Sequence, residues 1–186
     1  VAKASQNTIR TCRKVLQYMH ATRGYYQRIP LRCLDLSEPV AVGLHCDASY
    51  EHGPARSGLL MQIDGCTAVW RSQRQKCICL STTESELVSL SQGIRYCLGI
   101  RQFCGLLFRH DPARWPPIDV WCDNSATVLI SSGQADMRKV RHLSLSYLFA
   151  RKASADGVAN IRWIDTARQL ADGLTKVMPS VYWREN

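Results

Sequence analysis

Ile118-Asp-Val-Trp-Cys-Asp-Asn-Ser125 decides how the rest of the chain is read. Ile118, Val120 and Cys122 alternate with Asp119, Trp121 and Asp123, the period-two pattern of a half-buried strand. Asn124 and Ser125 are residue types that start helices, and Ala126-Thr-Val-Leu-Ile130 continues as a short apolar helical run. Asp123 therefore stands where a strand hands over to a helix, the edge at which open α/β sheets bind ligands.

Upstream, Val40, Val42, Leu44 and Cys46 alternate with Ala41, Gly43, His45 and Asp47, which predicts a second strand running onto a carboxylate. His45 shares a face with Asp47, and a lone strand histidine reads as structural. Leu59, Met61 and Ile63 mark another strand, Asp64-Gly65 is a strong hairpin signal, and Cys66 to Arg71 returns. Three consecutive antiparallel strands result. Arg71, Arg74 and Lys76 then form a basic loop that leads into a helix start, a place suited to anions.

That helix opens at Leu80-Ser-Thr-Thr-Glu-Ser-Glu86-Leu. Ser81 and Glu84 have capping-box spacing, Leu87, Leu90, Ile94, Cys97 and Leu98 carry an apolar stripe, and Glu86 lies beside that stripe. Asp47 and Asp123, with a helix between their strands, suggest parallel neighbours whose carboxylates emerge at one sheet edge. Residues 112 to 117 read as a loop, and Gly133 ends the helix after Asp123. A long helix with a basic first part follows from Arg138 and stops at Gly157. Val158 to Ile164 alternates as a last strand. Thr166 and Gln169 have the spacing of another capping box, opening a final helix with Leu170 and Leu174 buried and Asp172 one turn in.

Near the N-terminus, Ile9, Cys12, Val15, Leu16 and Met19 form one helical stripe, with Gly24 as the expected cap. A turn-rich connector follows, giving an expected helix and linker over 1–37, a main domain over 38–178 and a tail over 179–186.

Twenty-four Lys and Arg against fifteen Asp and Glu leave a formal charge of +9 on 186 residues, a balance that points to polyanionic partners. No apolar run approaches the roughly 20 residues that span a bilayer, so neither membrane nor signal peptide is expected. Nine cysteines at spacings that match no disulfide or zinc framework read as reduced thiols in a reducing compartment.

A fold that gathers Asp47, Glu86, Asp123 and Asp172 must offset their mutual repulsion with divalent cations. All-oxygen ligation points to Mg2+ or Mn2+, with no small-molecule cofactor. Two such ions about 4 Å apart activate a water and stabilise the leaving oxygen of a phosphodiester displacement.

In this order, Cys46-Asp-Ala-Ser-Tyr50, Leu80 to Leu87, Cys122-Asp-Asn-Ser-Ala126 and Gln169-Leu-Ala-Asp-Gly-Leu-Thr-Lys176 resemble the ribonuclease H domain that ends copia-type retrotransposon Pol polyproteins. Arg138-Lys-Val-Arg-His142 resembles that family's basic segment, and Arg13 to Tyr18 resembles the helix closing its reverse transcriptase. The resemblance runs from about Ser5 to Pro179. It implies a mixed five-stranded ribonuclease H fold, endonucleolytic cleavage of RNA in RNA–DNA hybrids, and Asp47, Glu86, Asp123 and Asp172 as catalytic metal ligands. It also implies an upstream reverse transcriptase as partner and a cytoplasmic location inside virus-like particles. Arg71, Arg74, Lys76, Asn124, Arg138, Lys139, Arg141 and His142 are the expected nucleic-acid contacts. Two departures stand out: the turn before the last acid reads Asp165-Thr-Ala-Arg168, and the histidine that cellular ribonucleases H carry shortly before that acid is missing after His142. The competing reading is an inactive nucleic-acid-binding or scaffold domain with the same fold.

Overall fold

The computed structural model describes residues 5–24, 40–50, 54–108, 111, 114–134, 145–176 and 178. Backbone contacts divide the chain into Val1–Pro30 and Leu31–Asn186.

Among the described residues, the first unit contains one helix, α1 (Gln6–Ala21). The Ser5 hydroxyl accepts the Thr8 N–H at 3.1 Å, the N-cap bond that satisfies an otherwise unpaired donor. Thr22 caps the other end through its N–H to the Tyr18 carbonyl, so Gly24 lies beyond the helix instead of capping it. None of its side chains is buried.

The second unit is built on a five-stranded sheet in the order β3-β2-β1-β4-β5. Its strands are β1 (Val42–Ser49), β2 (Arg56–Ile63), β3 (Cys66–Arg74), β4 (Ile118–Cys122) and β5 (Ala159–Trp163). β1, β2 and β3 pair antiparallel, whereas β1 with β4 and β4 with β5 pair parallel. The hairpin between β2 and β3 turns at Asp64 and Gly65, both with positive φ, as the shortest hairpin turns require. β3 is longer than the alternation indicates: Arg71 and Arg74 are strand residues paired with Leu59 and Arg56, so only Lys76 of the expected basic loop lies outside the strand.

α2 (Thr82–Phe108) covers one face of the sheet. Leu87, Leu90, Ile94 and Cys97 are buried as their spacing predicts. Ser85, Ser89 and Gly93, four residues apart on the same helix, are buried too. They bring the helix axis close to β1: the Ser89 hydroxyl donates to the Asp47 carbonyl at 2.9 Å, and a Cβ on Gly93 would sit 2.6 Å from Leu44. Leu44, Cys46, Leu59, Leu90, Ile94, Ile118 and Val120 form the centre of the core.

α3 (Ser125–Ser131) and α4 (Leu145–Ala155) complete the helices. Gly133 and Gly157 follow them with positive φ, as expected for helix ends. Arg138, Lys139, Arg141 and His142 fall outside the described residues, as does the first part of the long helix expected there. The expected final helix is instead two short 3-10 turns, Thr166–Arg168 and Asp172–Leu174, and Leu170 and Leu174 are half-buried. Asp165, not Thr166, caps the first turn, accepting the Ala167 N–H at 2.8 Å.

Candidate active site

Asp47 lies on β1, two residues before its end, and Asp123 directly follows β4. Because these strands are parallel neighbours, both carboxylates leave the sheet at the same edge. Asp172 arrives on the second 3-10 turn. Carboxylate oxygens of Asp47, Asp123 and Asp172 lie within 4.8 Å of one another, and Asp123 also belongs to a second set with Glu86 and Cys122. All four expected acids therefore meet, with Asp123 common to both groups. Asp47, Glu86 and Asp172 are each at most 5 % exposed, a burial that carboxylates tolerate only with compensation.

Each acid is oriented by a donor. Glu86 Oε1 accepts the Ala48 N–H at 3.1 Å, which ties the second turn of α2 to β1. The Asp123 carboxylate accepts the Thr166 hydroxyl at 2.8 Å, and its carbonyl accepts the Trp163 indole N–H at 2.9 Å. The Thr175 hydroxyl donates to Asp47. Lys176 Nζ lies 2.8 Å from Asp172 and 3.6 Å from Asp47. Asp123 plays no part in capping α3, because the Asn124 side chain does so by accepting the Thr127 N–H at 3.0 Å.

Burial, then the neighbouring Cys122 and Asp47, push Glu86 from its ordinary 4.5 up to about 10. Its carboxyl thus holds a proton at neutral pH unless another cation replaces it. Burial also raises Asp172, and this outweighs the hydrogen bond from Lys176 that acts the other way. Burial works to lower Lys176, but its bond to Asp172 and the charges of Asp47, Asp172 and Asp123 prevail and raise it. Buried oxygen donors and a carboxyl that cannot ionise alone are what a hard divalent ion fits. The set is not purely oxygen, however, since the Cys122 thiol faces Glu86 Oε2 at 4.0 Å.

Glu84 and Glu86 separate as helix geometry requires. Ser81 Oγ accepts the Glu84 N–H at 3.1 Å, while Glu84 Oε2 accepts the N–H of Leu80 at 2.7 Å, not that of Ser81 as the capping-box spacing implies.

Several residues that position the acids were misread or passed over in the sequence. Gln169 is fully buried: its amide N–H donates to the Cys46 carbonyl at 3.0 Å, and its Oε1 meets His45 Nδ1 at 3.1 Å and the Ala171 N–H at 3.3 Å. It thus fastens the segment carrying Asp172 to β1. His45 stacks on Trp121 with 4.7 Å between ring centres, and burial lowers its pKa. Gly58, directly across from Asp47 in the β1–β2 register, is where the last turn rests. A Cβ there would lie 2.7 Å from Thr175 and 2.9 Å from the Ala171 carbonyl. The i, i+4 spacing of Asp172 and Lys176 is the one signal that could have been read in advance.

Arg71, Arg74 and Lys76 line a cleft of about 690 Å3 together with Arg95 and Tyr96 of α2. The Arg71 guanidinium lies 4.9 Å from the centre of the Tyr96 ring.

The mixed sheet in the order β3-β2-β1-β4-β5 with its flanking helices is a ribonuclease H-like fold. It superimposes with a TM-score of 0.54 on the N-terminal ribonuclease H domain of a Mycobacterium tuberculosis protein, at 18 % identity over 78 % of this chain and 98 % of that one. Ribonuclease H1 of Halobacterium salinarum gives 0.53 at 15 % identity, over 74 % and 94 % of the two chains. LC11 ribonuclease H1 in complex with an RNA/DNA hybrid gives 0.54 at 14 %, over 72 % and 92 %. In sequence, the chain is related to the retrovirus-related Pol polyproteins of plant transposons, in keeping with the copia-type resemblance of its motifs. It is 26 % identical over 169 residues to that of transposon TNT 1-94 from Nicotiana tabacum, covering 89 % of this chain and 12 % of the polyprotein. The match to transposon RE2 of Arabidopsis thaliana is 28 % over 115 residues, covering 60 % and 8 %. The chain thus spans about an eighth or less of these relatives' length. No protein-family model matches it.

Proposed function

We propose that this domain is a divalent-metal-dependent endonuclease that hydrolyses the RNA strand of RNA–DNA hybrids during reverse transcription of a retrotransposon. The observation that carries the reading is the meeting of Asp47, Asp123 and Asp172 within 4.8 Å, with Glu86 beside Asp123, at one edge of a ribonuclease H sheet. The hybrid bound to the LC11 ribonuclease H1 neighbour and the Pol relationship support the substrate. Mg2+ ions held by these acids would supply an activated water and neutralise charge on the leaving oxygen.

The chain's own residues prepare the site. Ala48 N–H, Thr166 and Thr175 fix the directions of Glu86, Asp123 and Asp47. Gln169 sets the height of Asp172 above β1. Arg71, Arg74 and Lys76 offer positive charge to phosphates, and Asn124, Arg138, Lys139, Arg141 and His142 are further proposed contacts. An upstream reverse transcriptase and residence in virus-like particles belong to the same proposal.

Titrating Mg2+ against cleavage of a labelled hybrid tests it. Turnover that rises from zero with Mg2+ supports the enzyme; hybrid binding without turnover at any Mg2+ or Mn2+ concentration would instead mark an inactive binding domain.

A further inference from the structure

Lys176 is unusual among the residues around the acids. Its ammonium reaches a carboxylate pair whose side chains are 2 % and 6 % exposed, yet its own side chain is 43 % exposed. The backbone at Lys176 is anchored separately, by its N–H to the Asp172 carbonyl at 2.9 Å. Gln169 on the Cys46 carbonyl and Thr175 on Asp47 also tie the turn to β1, and only the tip of the Lys176 side chain is engaged. Among the described residues it is the one cation in ion-pair contact with the site, and it touches Asp47 and Asp172 but not Asp123 or Glu86.

We propose that Lys176 is a resident cation of the active site, occupying the Asp47–Asp172 end in competition with a divalent ion. The inference rests on the metal-binding reading of the acids. Without metal, three carboxylates within 4.8 Å repel one another, and the ammonium offsets part of that repulsion. A divalent ion held by these carboxylates would repel an ammonium left beside it. Withdrawal costs little packing, because the stem already lies partly in solvent and can rotate outward. The two ends of the site would then differ: an ion held by Glu86 and Asp123 would meet no ammonium, whereas one held by Asp47 and Asp172 would compete with Lys176. Lys176 is thus a residue that sets metal affinity, not a ligand.

The test is Mn2+ binding to the metal-stripped full chain, measured by calorimetry and by electron paramagnetic resonance of free Mn2+, which needs no turnover. Lys176→Met removes the charge; Lys176→Gln does so while keeping a donor for Asp172, should the first variant fold poorly. In both, the weaker Mn2+ association is expected to tighten by about tenfold, within the usual range for coupled sites. Lys176→Arg should bind as the wild type does. Unchanged or weaker Mn2+ binding in both neutral variants overturns the inference and leaves the metal site standing. Absence of Mn2+ binding in the wild type, or binding equally strong in Asp123→Asn, overturns the metal reading itself and this inference with it.

Discussion

Glu84 and Glu86 are the same residue type two positions apart, and their environments divide them. Glu84 is a surface cap, so Glu84→Gln keeps an acceptor for the Leu80 N–H and should cost no more than about 1 kcal/mol of stability, with cleavage near normal. Glu86→Gln also keeps an acceptor for Ala48, so the fold should survive, but a neutral amide is a poor ligand for a hard cation and cleavage should vanish. Thermal melts beside a cleavage assay check both; the reverse pattern would mean that the wrong glutamate is in the site. Glu86 also predicts a pH dependence. Its pKa is higher in the folded protein, about 10, than its ordinary 4.5, so the native state holds the extra proton. That stability is fully present below pH 4.5 and is lost as pH rises towards 10, by at most about 1.4 kcal/mol per unit. Unfolding of the metal-free protein should follow this slope, and both Glu86→Gln and saturating Mg2+ should flatten it. A wild-type slope unchanged by either would contradict the protonated carboxyl.

At the scale of elements, the sequence was most readable where a pattern is local. Alternation located β1, β2 and β4, Asp64-Gly65 located the hairpin, and the leucine stripe located α2. The last segment was misread for a physical reason. Thr166 and Gln169 have capping-box spacing, but the Gln169 amide is drawn into the sheet by the Cys46 carbonyl and His45, and a tertiary contact overrides the local preference. Likewise Thr166 and Thr175 act only after folding brings them to Asp123 and Asp47, acids far away in the chain, and the reach of Lys176 to Asp47 arises in the same way. The dependence of Asp172 on this packing can be tested from the opposite strand. Gly58→Ala should push the Ala171–Thr175 turn off β2, lowering stability by about 1–3 kcal/mol and depressing cleavage through Asp172. Melting and cleavage at wild-type levels would show that the turn gives way freely.

For the whole molecule, the four acids and their order were legible because each sits in a short recognisable string, whereas the spacing between their oxygens needed the assembled sheet. Deleting Val1 to Leu36, the helix and linker expected ahead of the main domain, should leave a domain that unfolds cooperatively, as calorimetry would record; a broad, non-cooperative transition would make the helix part of the fold. The proposed function is that the four acids form a metal-dependent site that cuts RNA paired with DNA. Its most direct test is a side-by-side digestion, with Mg2+, of an RNA–DNA hybrid and a DNA duplex of the same sequence by the wild type and by Asp123→Asn. Cuts in the RNA strand of the hybrid that leave 3′-hydroxyl and 5′-phosphate ends, an intact DNA duplex, and no cutting by the variant are the outcome expected of the proposed function. Equal cutting of both duplexes, or undiminished cutting by Asp123→Asn, would contradict it.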